Sequence, residues 1–127
     1  MTARQTFTSG QTFTAAQANA LAEATVAVNA QGTATSYTLA LTDAGKLVTF
    51  TGAASTVTIP LNSSVAFGVG DQINIAQLGT AQVTIGTASG VSVVSAGSKT
   101  KTNGQYAVVT VVQYTTNSWL LLGNTST

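Results

Sequence analysis

Histidine and cysteine are absent from this sequence, proline occurs once at Pro60, and the carboxylates are only Glu23, Asp43 and Asp71. Each shortage excludes something. General acid–base catalysis, activated nucleophiles and transition-metal centres are usually built from histidine, cysteine or convergent carboxylates, and three acids scattered over 127 residues do not supply them. The expectation is a chain that is no enzyme, holds no metal and carries no cofactor. Without cysteine there are no disulfides, so durability has to come from packing and association.

Charge is equally scarce. Charged residues make up 6% of the chain, against roughly a quarter in a typical soluble domain, so Thr, Ser, Asn, Gln and Gly must solvate the surface. Arg4, Lys46, Lys99 and Lys101 leave a net charge of +1. Only Lys99 and Lys101 lie close together, which is no footprint for a polyanion, and nucleic acid is not an expected partner. A surface with so little like-charge repulsion favours packing against other protein surfaces, and a homo-oligomer or larger assembly follows. No apolar run approaches the ~20 residues that cross a bilayer, so no membrane partner is expected. The opening residues lack the basic start and apolar stretch of a secretory signal, which implies synthesis in the cytoplasm.

Hydrophobic residues account for 44% of the chain, and their spacing changes along it. An Ala-rich stretch gives way to a Thr/Val/Ile-rich one near Ala30 to Ser36, which divides the chain into an N-terminal segment, 1–35, and a β domain, 36–127. In the first part Thr14-Ala15-Ala16-Gln17 fits a capping box and predicts a helix from about Ala15 to Thr25. Its apolar stripe, Ala18, Leu21 and Val28, is too thin to stand alone in water. Phe7, Phe13, Leu21 and Val28 are the candidate docking residues, too few for a core but enough to anchor on a partner.

Beyond Ser36 the apolar period is two: Leu39/Leu41, Val48/Phe50, Val57/Ile59, Ile73/Ile75, Val83/Ile85, Val91/Val93 and Val109/Val111. This predicts strands with one buried face, from Tyr37–Thr42 to Trp119–Leu122. Turn residues punctuate them, among them Asp43-Ala44-Gly45, Asn62-Ser63-Ser64, Gly68-Val69-Gly70-Asp71 and Asn103-Gly104. Short strands at close intervals predict a mainly β fold, an antiparallel sandwich or barrel. Thr-x-Thr pairs recur, but their irregular spacing argues against a solenoid in which they stack coil upon coil. The glycines at 68 and 70 lack the Lys-Ser/Thr of a phosphate loop, and Asp43 with Asp71 is too sparse a set for Ca²⁺.

Several runs together are similar to a known pattern. Tyr37-Thr38-Leu39-Ala40-Leu41-Thr42-Asp43-Ala44-Gly45-Lys46, Val57-Thr58-Ile59-Pro60-Leu61-Asn62-Ser63, Gly70-Asp71-Gln72-Ile73 and Trp119-Leu120-Leu121-Leu122-Gly123 resemble a β module of tailed-bacteriophage fibre and virion-surface proteins. Phe7-Thr8-Ser9-Gly10-Gln11-Thr12-Phe13-Thr14-Ala15-Ala16 resembles the opening of many phage structural proteins, with Phe13 where Leu is commoner. The resemblance implies a virion component, commonly a trimer, fixed to other virion proteins of the capsid or tail by its N-terminal segment. For a small chain that is nearly all module, it implies a capsid decoration protein or a short tail appendage. The alternative is a receptor-binding module that recognises host surface glycan. Tyr106, Tyr114 and Trp119 are then candidate sugar or subunit contacts, since flat amphipathic rings suit both.

Overall fold

The computed structural model describes residues 9, 10, 14, 15 and 27–127. The strands run in the order β1 Val28–Gly32, β2 Ser36–Thr38, β3 Leu47–Phe50, β4 Ser55–Ile59, β5 Gln72–Gln77, β6 Val83–Thr87, β7 Ser92–Ser95, β8 Lys101–Thr102, β9 Val108–Thr115, β10 Ser118–Gly123 and β11 Thr125–Ser126. Single 3-10 turns occupy Leu41–Asp43 and Ala96–Ser98. The strands form where β-branched and apolar residues alternate with small polar ones. In β4, Ser55, Val57 and Ile59 point inward while Thr56 and Thr58 point out. Pro60, which has no N–H for a ladder, follows the strand's last residue.

Two sheets face each other. One has the order β1-β3-β5-β9-β10-β7, the other β11-β8-β6-β4-β2. The first six strands pass alternately from one sheet to the other, so β1, β3 and β5 stack in parallel in the first and β2, β4 and β6 in the second. Three coils result. The β9–β10 hairpin is inserted between β5 and β7, with β9 antiparallel to β5 and β10 parallel to β7. In the second sheet β8 pairs antiparallel with both β6 and β11.

The fold is thus mainly β as expected, but its sheets are mixed rather than antiparallel and neither closes into a barrel. The physical reason lies in the connections. A turn such as 33–35 or 51–54 delivers the chain to the facing sheet rather than back beside its own strand. The return through that sheet supplies the long crossover that parallel pairing needs, with a strand in place of a helix. Apolar alternation with a period of two is the same for both outcomes. Single threonines do stack, Thr56 beside Thr84 and Thr38 beside Thr58, although no Thr-x-Thr pair lies on another and the coils differ in length. The longer connection 60–71 takes up the difference outside the ladder.

Two boundaries also move. β1 begins at Val28, so the β domain starts before residue 36, and the Tyr37–Thr42 strand ends at Thr38. Leu39 is buried, whereas Leu41 enters the 3-10 turn and is exposed. The helix expected from about Ala15 to Thr25 falls, Ala15 apart, outside the described residues.

Between the sheets Val48, Val57, Ile59, Ile73, Ile75, Val109 and Val111 have no accessible surface. In-register stacking places Val48 beside Ile75 and Val57 beside Ile85, so one apolar row continues from coil to coil. Each such side chain contributes roughly 1.5–3 kcal/mol on burial. The corners between sheets stack as tightly. A Cβ on Gly52 would lie 2.7 Å from the Cα of Thr33, and one on Gly79 would lie 2.5 Å from the carbonyl oxygen of Thr51. Backbone meets backbone there, so no side chain can give way.

Gly79→Ala should therefore destabilise the protein by about 1–3 kcal/mol, the usual cost of overpacking. Gly104→Ala, where the added carbon meets nothing within 4 Å, should be close to neutral. Urea denaturation of the two variants measures the difference.

Candidate interaction surfaces

Asp43 is fully buried at the end of its 3-10 turn, and three donors converge on it. The Asn29 amide on β1 donates to Oδ1 at 2.8 Å, while the Tyr37 hydroxyl on β2 and the Ala40 N–H donate to Oδ2 at 2.5 and 2.8 Å. Asn29 Nδ2 also reaches the Tyr37 hydroxyl at 3.0 Å, and Gln31 Nε2 donates to Asn29 Oδ1 at 2.9 Å. One carboxylate thus ties the first coil, in both sheets, to the turn that leads into β3. Burial, hydrogen bonding to Asp43 and the charge of Asp43 push the Tyr37 phenol up to about 12, with the Asn29 bond acting the other way. Asp71 serves elsewhere: its Oδ2 accepts the Gly68 N–H at 2.9 Å in the loop before β5.

A second polar cluster closes the opposite end of the long connection. Asn62 Nδ2 and Gln113 Nε2 both donate to the Phe67 carbonyl, at 2.8 and 2.9 Å, and Asn62 N–H donates to Asn117 Oδ1 at 2.8 Å. Phe67 meets Trp119 edge to face with ring centroids 5.3 Å apart. Trp119 is only 1% exposed. Its ring is therefore a core anchor, and it leaves the set of candidate sugar or subunit contacts. A third cluster bridges the sheets, where the Thr102 hydroxyl on β8 donates to Gln77 Oε1 on β5 at 2.5 Å and accepts the Val83 N–H at 2.9 Å. No buried side-chain nitrogen or oxygen lacks a partner among the described residues.

Tyr106 and Tyr114 remain at the surface, 71% and 51% exposed. Tyr106 precedes β9 and Tyr114 is its next-to-last residue, so the strand from Val108 to Tyr114, about 20 Å at the usual rise per residue, runs between them and they do not form one platform. Tyr106 has a left-handed backbone, φ +68°, held by its N–H donating to the Gln77 carbonyl at 2.6 Å. Of the docking candidates, Val28 lies exposed on β1, and Phe7, Phe13 and Leu21 lie outside the described residues.

The outward faces of the two sheets are unlike. On the five-stranded sheet the outward positions of β2, β4, β6 and β8 are Ser36, Thr38, Thr56, Thr58, Thr84, Gly86 and Lys101. Hydroxyls solvate that face. On the six-stranded sheet the outward rows run Val94–Leu120–Val112–Gln72 and Leu122–Thr110–Asn74–Leu47–Val28. Sequence reasoning missed this division, because both faces alternate with the same period and only the pairing shows which residues share a side. No family model, curated protein or solved structure matches the chain.

Tyr37→Phe leaves Asp43 Oδ2 with the Ala40 N–H alone, and should cost about 1–3 kcal/mol, as for a lost bond to a buried charge. The pH dependence has a definite sign. The folded state holds the phenolic proton more tightly than the unfolded chain, whose tyrosines titrate near 10. Its contribution to stability is therefore full below pH about 10 and is lost as pH rises through about 12. Denaturation midpoints followed across that range should fall in the parent and fall less in Tyr37→Phe.

Proposed function

We propose that this chain is a non-enzymatic structural protein on the exterior of a tailed-phage virion, oligomeric with three copies expected. In this reading it is a capsid decoration protein or a short tail appendage, and the segment before β1 attaches it to capsid or tail proteins. One observation carries the proposal. The residues through which the sequence resembles the phage module are those that hold the fold: Tyr37 bonds Asp43, Asn62 fixes the Phe67 carbonyl, and Trp119 packs on Phe67. A pattern that encodes a scaffold rather than a reactive centre supports a structural role.

Attachment is tested by adding purified protein to particles that lack it and measuring copies bound per virion. Phe7→Ala and Phe13→Ala should each weaken binding by about tenfold, the order of loss for an aromatic interface anchor. Because β1 begins at Val28, a chain lacking residues 1–26 keeps every described strand and should not bind. Equal occupancy by that shortened chain would place attachment on the β domain.

A second reading has one observation in its favour, the exposed Tyr106 ring on a loop with left-handed backbone at that residue. A host-glycan receptor module would use it for stacking. Binding to host surface glycans that Tyr106→Ala abolishes would favour that reading over the first.

A further inference from the structure

Among the described residues, exposed aliphatic side chains gather in rows on the outward face of the six-stranded sheet. Val28, Val94, Val108, Leu120 and Leu122 stand on it at 42–63% exposure, with Tyr114 at its end. None of the exposed large apolar side chains lies on a strand of the five-stranded sheet. The same chain therefore builds one sheet face that water solvates through hydroxyls and another that water solvates poorly. Composition alone does not account for the second.

The geometry points to this face as the surface on which a second copy of the chain docks, an inference that rests on the oligomeric reading above but not on its count of three, since one face laid on the same face of a second copy makes a pair. Three features select a copy as the occupant. First, the six strands carry no Asp, Glu, Lys or Arg, so nothing on the face recognises a charged partner and nothing repels an identical neutral one. Second, the central polar pair bonds within the face, the Thr110 hydroxyl donating to Asn74 Oδ1 at 2.6 Å, which lowers the cost of covering these two groups. Third, the size fits a modest self-association. Six strands at ~4.8 Å spacing and ~5 residues each give roughly 400–500 Å² per copy, so two copies bury close to the ~1,000 Å² at which specific interfaces begin. Association of this kind belongs in the micromolar range and depends on concentration.

Leu120 sits on the strand next to the β7 edge, in the middle of the aliphatic cluster, between Val112 on β9 and Val94 on β7. It is 42% exposed, so a lysine there reaches water without disturbing the core of one copy. Sedimentation equilibrium of the full-length chain, with folding checked by circular dichroism and thermal unfolding, is the test. The parent should self-associate, Leu120→Lys should weaken that by about tenfold or more, and Thr56→Lys on the hydroxyl face should leave it unchanged. A nitroxide on Leu122→Cys, in a chain with no cysteine of its own, should report a second label nearby, and one on Thr56→Cys should not. A parent that stays monomeric at hundreds of micromolar, or equal effects from the two lysines, overturns the inference. Copies per virion measured on the same variants separate the two readings. A monomeric parent that still occupies particles sinks the face and the oligomer but leaves the virion role standing, whereas a parent that pairs through this face and never enters particles sinks the virion role alone.

Discussion

Backbone packed on backbone at the corners between the sheets is the constraint from which the rest of this structure follows. Thr33 and Gly52 meet where the first and second coils turn, and Thr51 and Gly79 meet where the second and third do, at distances that leave no space for a side chain. Corners this close fix the height of each coil above the last. Once that height is set, β1, β3 and β5 fall into register in one sheet and β2, β4 and β6 in the other. The apolar rows then continue across the ladder, and the hydroxyl rows outside continue with them.

Apolar burial does not by itself specify register, because a slip along a strand by two residues still buries an alternating pattern. The buried polar clusters supply what is missing. Asp43 accepts bonds from β1, β2 and its own turn, and Gln77 with Thr102 joins the two sheets from β5 to β8. A shift in either place strands a buried carboxylate or amide without partners, at a cost that exceeds the small differences between alternative packings. These few groups do for a chain without disulfides what a covalent staple does elsewhere.

Much of the core was legible in the sequence, since Val57/Ile59, Ile73/Ile75, Val83/Ile85 and Val109/Val111 all point between the sheets. The pairing was not. Parallel coils and antiparallel hairpins share a period of two, and only contacts between residues distant in sequence tell them apart. β1 left no trace because Val28-Asn29-Ala30-Gln31-Gly32 has few strand-forming residues; β3 and the Asn29 to Asp43 bond override local preference there. Trp119 was ambiguous for a different reason, as a large amphipathic ring suits a core and a binding surface equally until its neighbours are known. The role of Asp43 was hidden in the same way: a carboxylate in an Asp-Ala-Gly turn reads as local chemistry, and the donors that make it central come from Asn29 and Tyr37.

A scaffold of this design separates its duties. Stacked coils hold the shape, one outward face is dressed with hydroxyls, and the other carries aliphatic side chains in rows. All of this depends on successive coils lying parallel and in register, which interstrand backbone NOEs measure directly in the isotopically labelled protein. Parallel contacts should join Asn29 to Val48 and Val48 to Ile75, and Tyr37 to Val57 and Val57 to Ile85. Antiparallel contacts between consecutive strands, β3 with β4 or β4 with β5, would contradict this arrangement.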